Sequence, residues 1–391
     1  MKRIIFWSHL VVGVAAGLVI LLLSATGVLL TYERQIIAWA EGRAVNPQAG
    51  QTPLDADAIV AAALRNGAAP GHRVTFAAEA DAPIVVTTGR RARFLLDPYA
   101  GTVLTGSGER TTAFFRAVTE LHRWLAFSGN GRQTGAAITG AANVAFLFML
   151  MSGVYLWWPK AWTWRMLRLN LVFRRGLPNA KARDYNWHRV FGGWAVVPLF
   201  AIVASGVVIS YPWASDLVYR AYGETPPTVR GPPTGAGPAT QQAGRASPPE
   251  NVLGAAQILA MAKASMPDYR TLSLTLPAAA SPVAEVQVDT GNGAQFTRRT
   301  TLVISRQDGS IVARRANADA SPAVQARAYL RFLHTGEVYG WVGQTVAGLA
   351  SMAAVFLVYT GLALAWRRIV GPLLAKRREG RASGQDAWRQ T

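Results

Sequence analysis

The amino-acid sequence predicts a mainly α-helical membrane protein: four transmembrane helices with two small α+β domains outside the membrane, internally duplicated. Three observations predict it. Four apolar runs each reach the ~20 helical residues that a bilayer core about 30 Å thick requires. Apolar residues make up 51% of the 391, yet the formal charge is +19, and the basic residues cluster beside the apolar runs as topology signals do. Finally, stretches of the first half recur in the second at fixed offsets.

The first span runs roughly over Ile5–Leu30, the second over Ala137–Trp158, the third over Val190–Tyr211 and the fourth over Val342–Trp366. The first is too long for a signal peptide and no small-residue cleavage site follows it cleanly, so it reads as an anchor. Short loops rich in Lys and Arg stay in the cytoplasm. Lys2 and Arg3 precede span one. Lys160, Arg165, Arg168, Arg174, Arg175, Lys181 and Arg183 fill the loop between spans two and three. Arg367, Arg368, Lys376, Arg377, Arg378 and Arg381 follow span four. All three regions fall on one side, which places both termini in the cytoplasm. Trp157, Trp158, Trp162, Trp164, Trp187 and Trp366 form an aromatic belt at that interface, and Trp39, Trp213 and Trp341 suit the opposite one.

This gives an order along the chain. Residues 1–32 hold helix one, 33–118 a periplasmic domain, and 119–159 an interfacial helix and helix two. Residues 160–187 form a cytoplasmic loop and 188–212 helix three. A second periplasmic domain covers 213–330, with a Pro/Gly-rich linker at 224–250; helix four covers 331–368 and a cytoplasmic tail 369–391.

An offset of 179 places Ala25–Tyr32 on Ala204–Tyr211, Gly13 on Gly192 and His9 on His188. An offset of 208 places Gly135, Gly140 and Gly153 on Gly343, Gly348 and Gly361, and Trp158 on Trp366. His122 and His334 both lie upstream of their spans, four residues out of that register. Each outer segment opens on a predicted helix, Ala56–Arg65 in one and 251–264 in the other. Each then shows a strand–turn–strand pattern, over Phe94–Leu104 with an Asp97-Pro98-Tyr99-Ala100-Gly101 turn and over Leu302–Val312 with an Asp308-Gly309 turn.

Cysteine is absent, which excludes thiolate metal sites, iron–sulfur clusters, disulfides and thioether-linked haem. Any redox cofactor is therefore held by histidine, methionine or oxygen. The histidines are His9, His72, His122, His188 and His334. His9 and His188 open spans that run outward and fall toward the cytoplasmic face. His122 and His334 precede spans that run inward and fall toward the periplasmic face. Two pairs result, His9 with His188 and His122 with His334. Imidazoles on facing helices are suitable axial ligands for haem. Gly13, Gly192, Gly27 and Gly206 would let helices approach a flat macrocycle, although small residues also serve plain helix packing. The helix holding His122, near Thr111–Phe127, would lie on the outer surface of the membrane. His72, after Pro70-Gly71, reads as an exposed loop residue.

His-x-x-x-Gly followed by Ala-[Thr/Ser]-Gly in spans one and three resembles the PepSY-associated transmembrane proteins. So do Leu121-His122-Arg123-Trp124-Leu125, Leu333-His334-Thr335-Gly336 and the Gly-x-x-x-x-Trp endings of spans two and four. The Asp97–Gly101 turn resembles the PepSY domain itself. The resemblance covers the chain apart from the linker and tail. It implies an inner-membrane ferrisiderophore reductase of a Gram-negative bacterium, with two b-type haems passing electrons outward to an iron(III)–siderophore so that iron(II) is released. It carries the haem ligands over to His9, His188, His122 and His334. Asp308-Gly309 departs from the family's turn, which puts a specific role of that second copy in doubt.

Rival readings are a general quinol-linked membrane cytochrome, a non-enzymatic PepSY binding or regulatory module, and metal transport. The spans lack the acidic residues that cation pathways use, with Glu33 and Asp216 only at their ends. No Gly-x-Gly-x-x-Gly follows a strand, so the electron donor is a membrane quinol or an unidentified cytoplasmic reductase. Nucleic acid is not expected as a partner, because the charge follows the spans.

Overall fold

The computed structural model describes residues 1–47, 50–88, 92–106, 108–159, 161–228 and 252–388, with the side chains of 92 and 372–388 excepted. Beyond residue 228 the expected linker lies outside the described residues. Two compact units emerge. One comprises Met1–Thr31, Arg116–Ser215 and Leu333–Thr391, the other Tyr32–Phe115 and Asp216–Phe332.

The first unit is helical. Its long helices are α1 (Lys2–Leu30), α5 (Gly131–Trp157), α7 (Ala180–Ser210) and α11 (Gly340–Trp388). All four are long and apolar enough to cross a membrane, and the mixture of apolar residues around each helix is what lipid on one side and protein on the other demand. Helix α1 packs against α5 and α11, and α7 packs against the same two. The order round the bundle is therefore α1, α5, α7, α11, which sets α1 diagonally across from α7. Small residues allow the close approach: Ala350, Ala353 and Ala354 of α11 meet Leu199 and Val203 of α7 and Leu150 of α5 in one buried cluster.

Helix α11 continues as helix to Trp388, through the segment expected to be a tail. Asn179 caps α7, its side chain accepting from the Ala182 N–H. A short helix, α6 (Trp164–Leu171), lies against α7 in the loop between the second and third spans.

His122 and His334 fall at the C-terminal ends of separate helices, α4 (Glu109–Trp124) and α10 (Pro322–His334), rather than at the start of α5 and α11. Each helix is followed by a tight backbone crossing. A Cβ on Gly135 would fall 2.1 Å from the Trp124 carbonyl oxygen, and one on Gly343 would fall 2.2 Å from that of Gly336. The connection after α4 is longer and turns through left-handed Leu125 and Ala126 (φ 53° and 60°); the connection after α10 turns at Gly336 (φ 74°). This difference in loop length accounts for the four-residue slip between the two histidines.

The second unit is built on one seven-stranded antiparallel sheet, in the order β3-β2-β1-β4-β5-β6-β7. Its strands are β1 (Arg73–Ala77), β2 (Ile84–Thr88), β3 (Ala92–Leu96), β4 (Thr271–Thr275), β5 (Val283–Asp289), β6 (Arg299–Ser305) and β7 (Ile311–Ala316). The expectation of two separate outer domains is thus corrected. The meander that follows α3 (Ala56–Arg65) and the meander that follows α9 (Ala255–Ser265) join edge to edge, β1 pairing with β4 from Arg73↔Thr275 to Ala77↔Thr271. Edge pairing satisfies backbone groups that two free meanders would leave open.

Period-two alternation buries one face of the sheet. Ile59, Ala62 and Ala63 of α3 cover Val74, Ile84, Val86 and Leu96; Ile258, Leu259 and Ala262 of α9 cover Leu272, Leu274, Val286, Val288, Leu302 and Ile304. Asp57 of α3 ties the halves by accepting from the Ala255 N–H at the start of α9. Both predicted turns form: Asp97 accepts from the Tyr99 and Ala100 N–H groups, and Asp308 from the Ser310 N–H and hydroxyl. After the first turn, however, Val103 makes only an isolated bridge to Leu96 instead of a strand.

The remaining α2 (Glu33–Gly42) belongs to the second unit, and α8 (Pro212–Ala221) links the two. His72 is half-buried rather than exposed, and its Nδ1 accepts from the Ala69 N–H; it closes a local turn in the second unit.

Candidate functional site

The other four histidines all fall in the helical unit, and each is held in the same manner. His9 of α1 places Nδ1 2.8 Å from Ser152 Oγ of α5. His188 of α7 places Nδ1 3.0 Å from Thr360 Oγ1 of α11. His122 of α4 places Nδ1 2.7 Å from Thr26 Oγ1 of α1. His334 of α10 places Nδ1 2.8 Å from the Ile202 carbonyl oxygen of α7.

The network assigns the tautomer. A serine or threonine hydroxyl has one proton to give, and in all three cases it goes to the helix backbone one turn back: Ser152 to Phe148, Thr360 to Phe356 and Thr26 to Leu22. Each hydroxyl must then accept from the imidazole, so Nδ1 carries the proton. For His334 the conclusion is direct, because a carbonyl only accepts. All four rings therefore keep the lone pair on Nε2, the nitrogen a metal would take, with an Nδ1–H partner that fixes ring orientation and raises basicity.

Each ring also faces a glycine. A Cβ on Gly153 would lie 3.5 Å from His9 Cε1, on Gly361 3.3 Å from His188 Cε1, on Gly27 3.9 Å from His122 Cε1 and on Gly206 3.1 Å from His334 Cε1. The unit of construction is a hydroxyl–glycine dipeptide on a neighbouring helix: Ser152-Gly153, Thr360-Gly361, Thr26-Gly27 and Ser205-Gly206. The fourth departs from the rest. Ser205 donates to the Ala201 and Ile202 carbonyls, and His334 reaches Ile202 itself.

His9 and His188 fall at one end of the bundle, against Ser152 in the later part of α5 and Thr360 in the later part of the fourth span, and His122 and His334 at the other, against Thr26 and Ile202 in the later parts of α1 and α7. The first two come from α1 and α7, diagonal in the bundle, and the others from α4 and α10. On α1 His9 and Thr26 mark the two levels, and on α7 His188 and Ser205 do. At 1.5 Å rise per residue the levels are roughly 25 Å apart, which puts the pairs at opposite ends of the bundle. Among the described residues no three His, Asp or Glu side chains converge as a metal-ion site.

Of the glycines expected to face a macrocycle, Gly27 and Gly206 face histidines. Gly13 meets Met149 and Gly192 meets Leu357, as packing positions do. Sequence reasoning missed Ser152, Thr360 and Thr26 as imidazole acceptors, and Gly153 and Gly361 as ring neighbours. The signal was present as a hydroxyl–glycine dipeptide in every span.

The family model described as "PepSY-associated TM region" matches residues 6–368. The chain belongs to this family. No curated protein matches it. Membership makes this PepSY-associated transmembrane protein a membrane protein, in agreement with its four apolar helices.

Two imidazoles at each end, with Nε2 as the lone pair, are donors of the kind that axial ligation of haem by two histidines uses.

Proposed function

We propose that this PepSY-associated transmembrane protein is an inner-membrane haem b protein that passes electrons across the bilayer to reduce an iron(III)–siderophore in the periplasm. His9 and His188 would hold one haem, His122 and His334 the other. The observation that carries this reading is the fourfold arrangement of imidazoles, each with Nδ1–H tied to a neighbouring helix and Nε2 left as the lone pair. A structural histidine needs no such uniform tautomer.

Haem held there supplies one-electron transfer between ferric and ferrous iron. The chain's residues do the rest. Ser152, Thr360, Thr26 and the Ile202 carbonyl fix the ring planes, so that ligand orientation costs little on binding. Gly153, Gly361, Gly27 and Gly206 keep the space beside each ring free of side chains. The apolar helices exclude water. Positive-inside topology would set both termini and the Arg-rich 160–187 loop in the cytoplasm, the His9–His188 level inward and the His122–His334 level outward. One electron delivered outward converts iron(III) to iron(II), which siderophores bind far more weakly.

The test mixes dithionite-reduced protein with iron(III)–siderophores and an iron(II) trap. Reoxidation with stoichiometric trapped iron(II) supports the proposal, whereas no reoxidation by any of them refutes the substrate and favours a quinol-linked cytochrome. His188→Ala should lose the inward haem and retain the outward one. Loss of both or neither contradicts the pairing.

A further inference from the structure

We propose that Asn143 and Ser351 hold down the reduction potential of the His122–His334 level, so that the outward cofactor is a stronger reductant than it would be among apolar side chains alone. The inference rests on the haem reading and topology proposed above, and it names the residues that tune the outward site.

Asn143 of α5 and Ser351 of α11 are related by the offset of 208 that also places Gly135, Gly140 and Gly153 on Gly343, Gly348 and Gly361. They are one position of the repeated unit, and both copies are polar within an apolar span. Each stands at a glycine that faces an outward imidazole. A Cβ on Gly27 would lie 3.4 Å from Ser351 Oγ and 3.9 Å from His122 Cε1. A Cβ on Gly206 would lie 2.9 Å from Asn143 Nδ2, 3.3 Å from its Oδ1 and 3.1 Å from His334 Cε1. The inward level differs. Among the described residues only His9 comes within 4 Å of a Cβ on Gly153, and only His188 within 4 Å of one on Gly361. Asn143 is also fixed in place. It donates Nδ2–H to the Val203 carbonyl at 3.0 Å, while His334 donates to the Ile202 carbonyl, so amide and imidazole hang from consecutive carbonyls of α7.

Close helix packing calls for small residues, and an interhelical hydrogen bond accounts for the amide N–H. Neither calls for polar atoms beside both outward rings and beside no inward one. Polar side chains within a span are costly and mark function. With two neutral imidazoles as ligands, the iron(III) form carries one more positive charge than the iron(II) form. An apolar surrounding penalises that charge, and polar groups near it relieve the penalty. A hydroxyl rotates to turn its oxygen toward positive charge. An amide whose N–H is tied to a carbonyl keeps its oxygen for the same purpose. Both groups therefore favour iron(III) and lower the potential. That direction suits the proposed reaction. A siderophore binds iron(III) far more tightly than iron(II), so its bound iron is a weak oxidant and the group that reduces it must be a strong reductant.

The experiment is a potentiometric titration of the full chain in nanodiscs, followed in the reduced b-type absorption bands. His188→Ala and His334→Ala assign the outward and inward waves. Asn143→Leu and Ser351→Ala should each raise the outward potential and leave the inward one in place. Together they should shift the outward iron(III)/iron(II) equilibrium toward iron(II) by about tenfold, which is ~59 mV for one electron. Ser351→Thr restores a hydroxyl and should bring the potential back toward wild type. If Asn143→Leu loses the outward haem, Ser351→Ala decides alone. An outward equilibrium within about twofold of wild type in Ser351→Ala overturns the proposal, as does a fall in potential or an equal rise at both levels. Protein purified without haem would instead refute the underlying haem reading.

Discussion

Thr360→Val isolates the role of the hydroxyl that holds His188. Thr360 is fully buried, and valine replaces its hydroxyl by a methyl of similar size, so packing against α7 changes little. In the cofactor-free protein His188 can move its proton to Nε2 and leave Nδ1 as a bare acceptor. Binding iron through Nε2 forces the proton back onto Nδ1, which then faces the valine methyl with no partner. A buried unsatisfied donor costs about 1–3 kcal/mol, and the cost falls on the bound state alone. Haem affinity at the inward level should therefore drop roughly 10–100-fold, the range typical for loss of such an outer partner. Thr360→Ser restores the acceptor and should restore most of the affinity. Haem transfer to excess apomyoglobin, followed by absorbance, measures the loss. Retention in Thr360→Val equal to wild type would refute the assignment of Thr360 as the acceptor for His188.

Gly206→Ala should empty the outward level while sparing the inward one, because its Cβ would fall 2.9 Å from Asn143 Nδ2 and 3.1 Å from His334 Cε1; haem per protein should halve in a pyridine haemochrome assay. Arg367→Ala should destabilise the helical unit by about 3 kcal/mol, since it leaves the buried Asp184 carboxylate with Arg183 as its remaining partner; thermal unfolding in detergent should shift down, and an unchanged Tm would contradict the role given to this pair. Asp57→Ala removes the acceptor for the Ala255 N–H and should cost about 1 kcal/mol, read as faster amide exchange at the start of α9. Leu272→Ala, at a fully buried position of β4, should cost about 2–5 kcal/mol in denaturant unfolding followed by circular dichroism.

The parts of this fold that the sequence makes legible are those with a local cause. Twenty apolar residues in a row admit few alternatives to a span, and α3 begins at the predicted residue because Asp55 caps it. The Asp97 and Asp308 turns form as read, since an aspartate can bind the N–H groups just after it. What escaped was non-local. Nothing within β1 or β4 signals that they pair, because either edge would satisfy the same alternation. Ser152-Gly153 and Thr360-Gly361 were visible as repeats, but their meaning lay 143 and 172 residues away in His9 and His188. The Ile202 carbonyl that holds His334 carries no side-chain signature at all.

In the proposed function, imidazoles from separate helices hold an iron macrocycle at each end of the bundle. The absorption spectrum of the protein purified from haem-replete cells, recorded before and after dithionite with haem quantified against protein, tests it most directly. Sharp reduced b-type bands and two haems per chain are expected; a colourless protein refutes the haem reading.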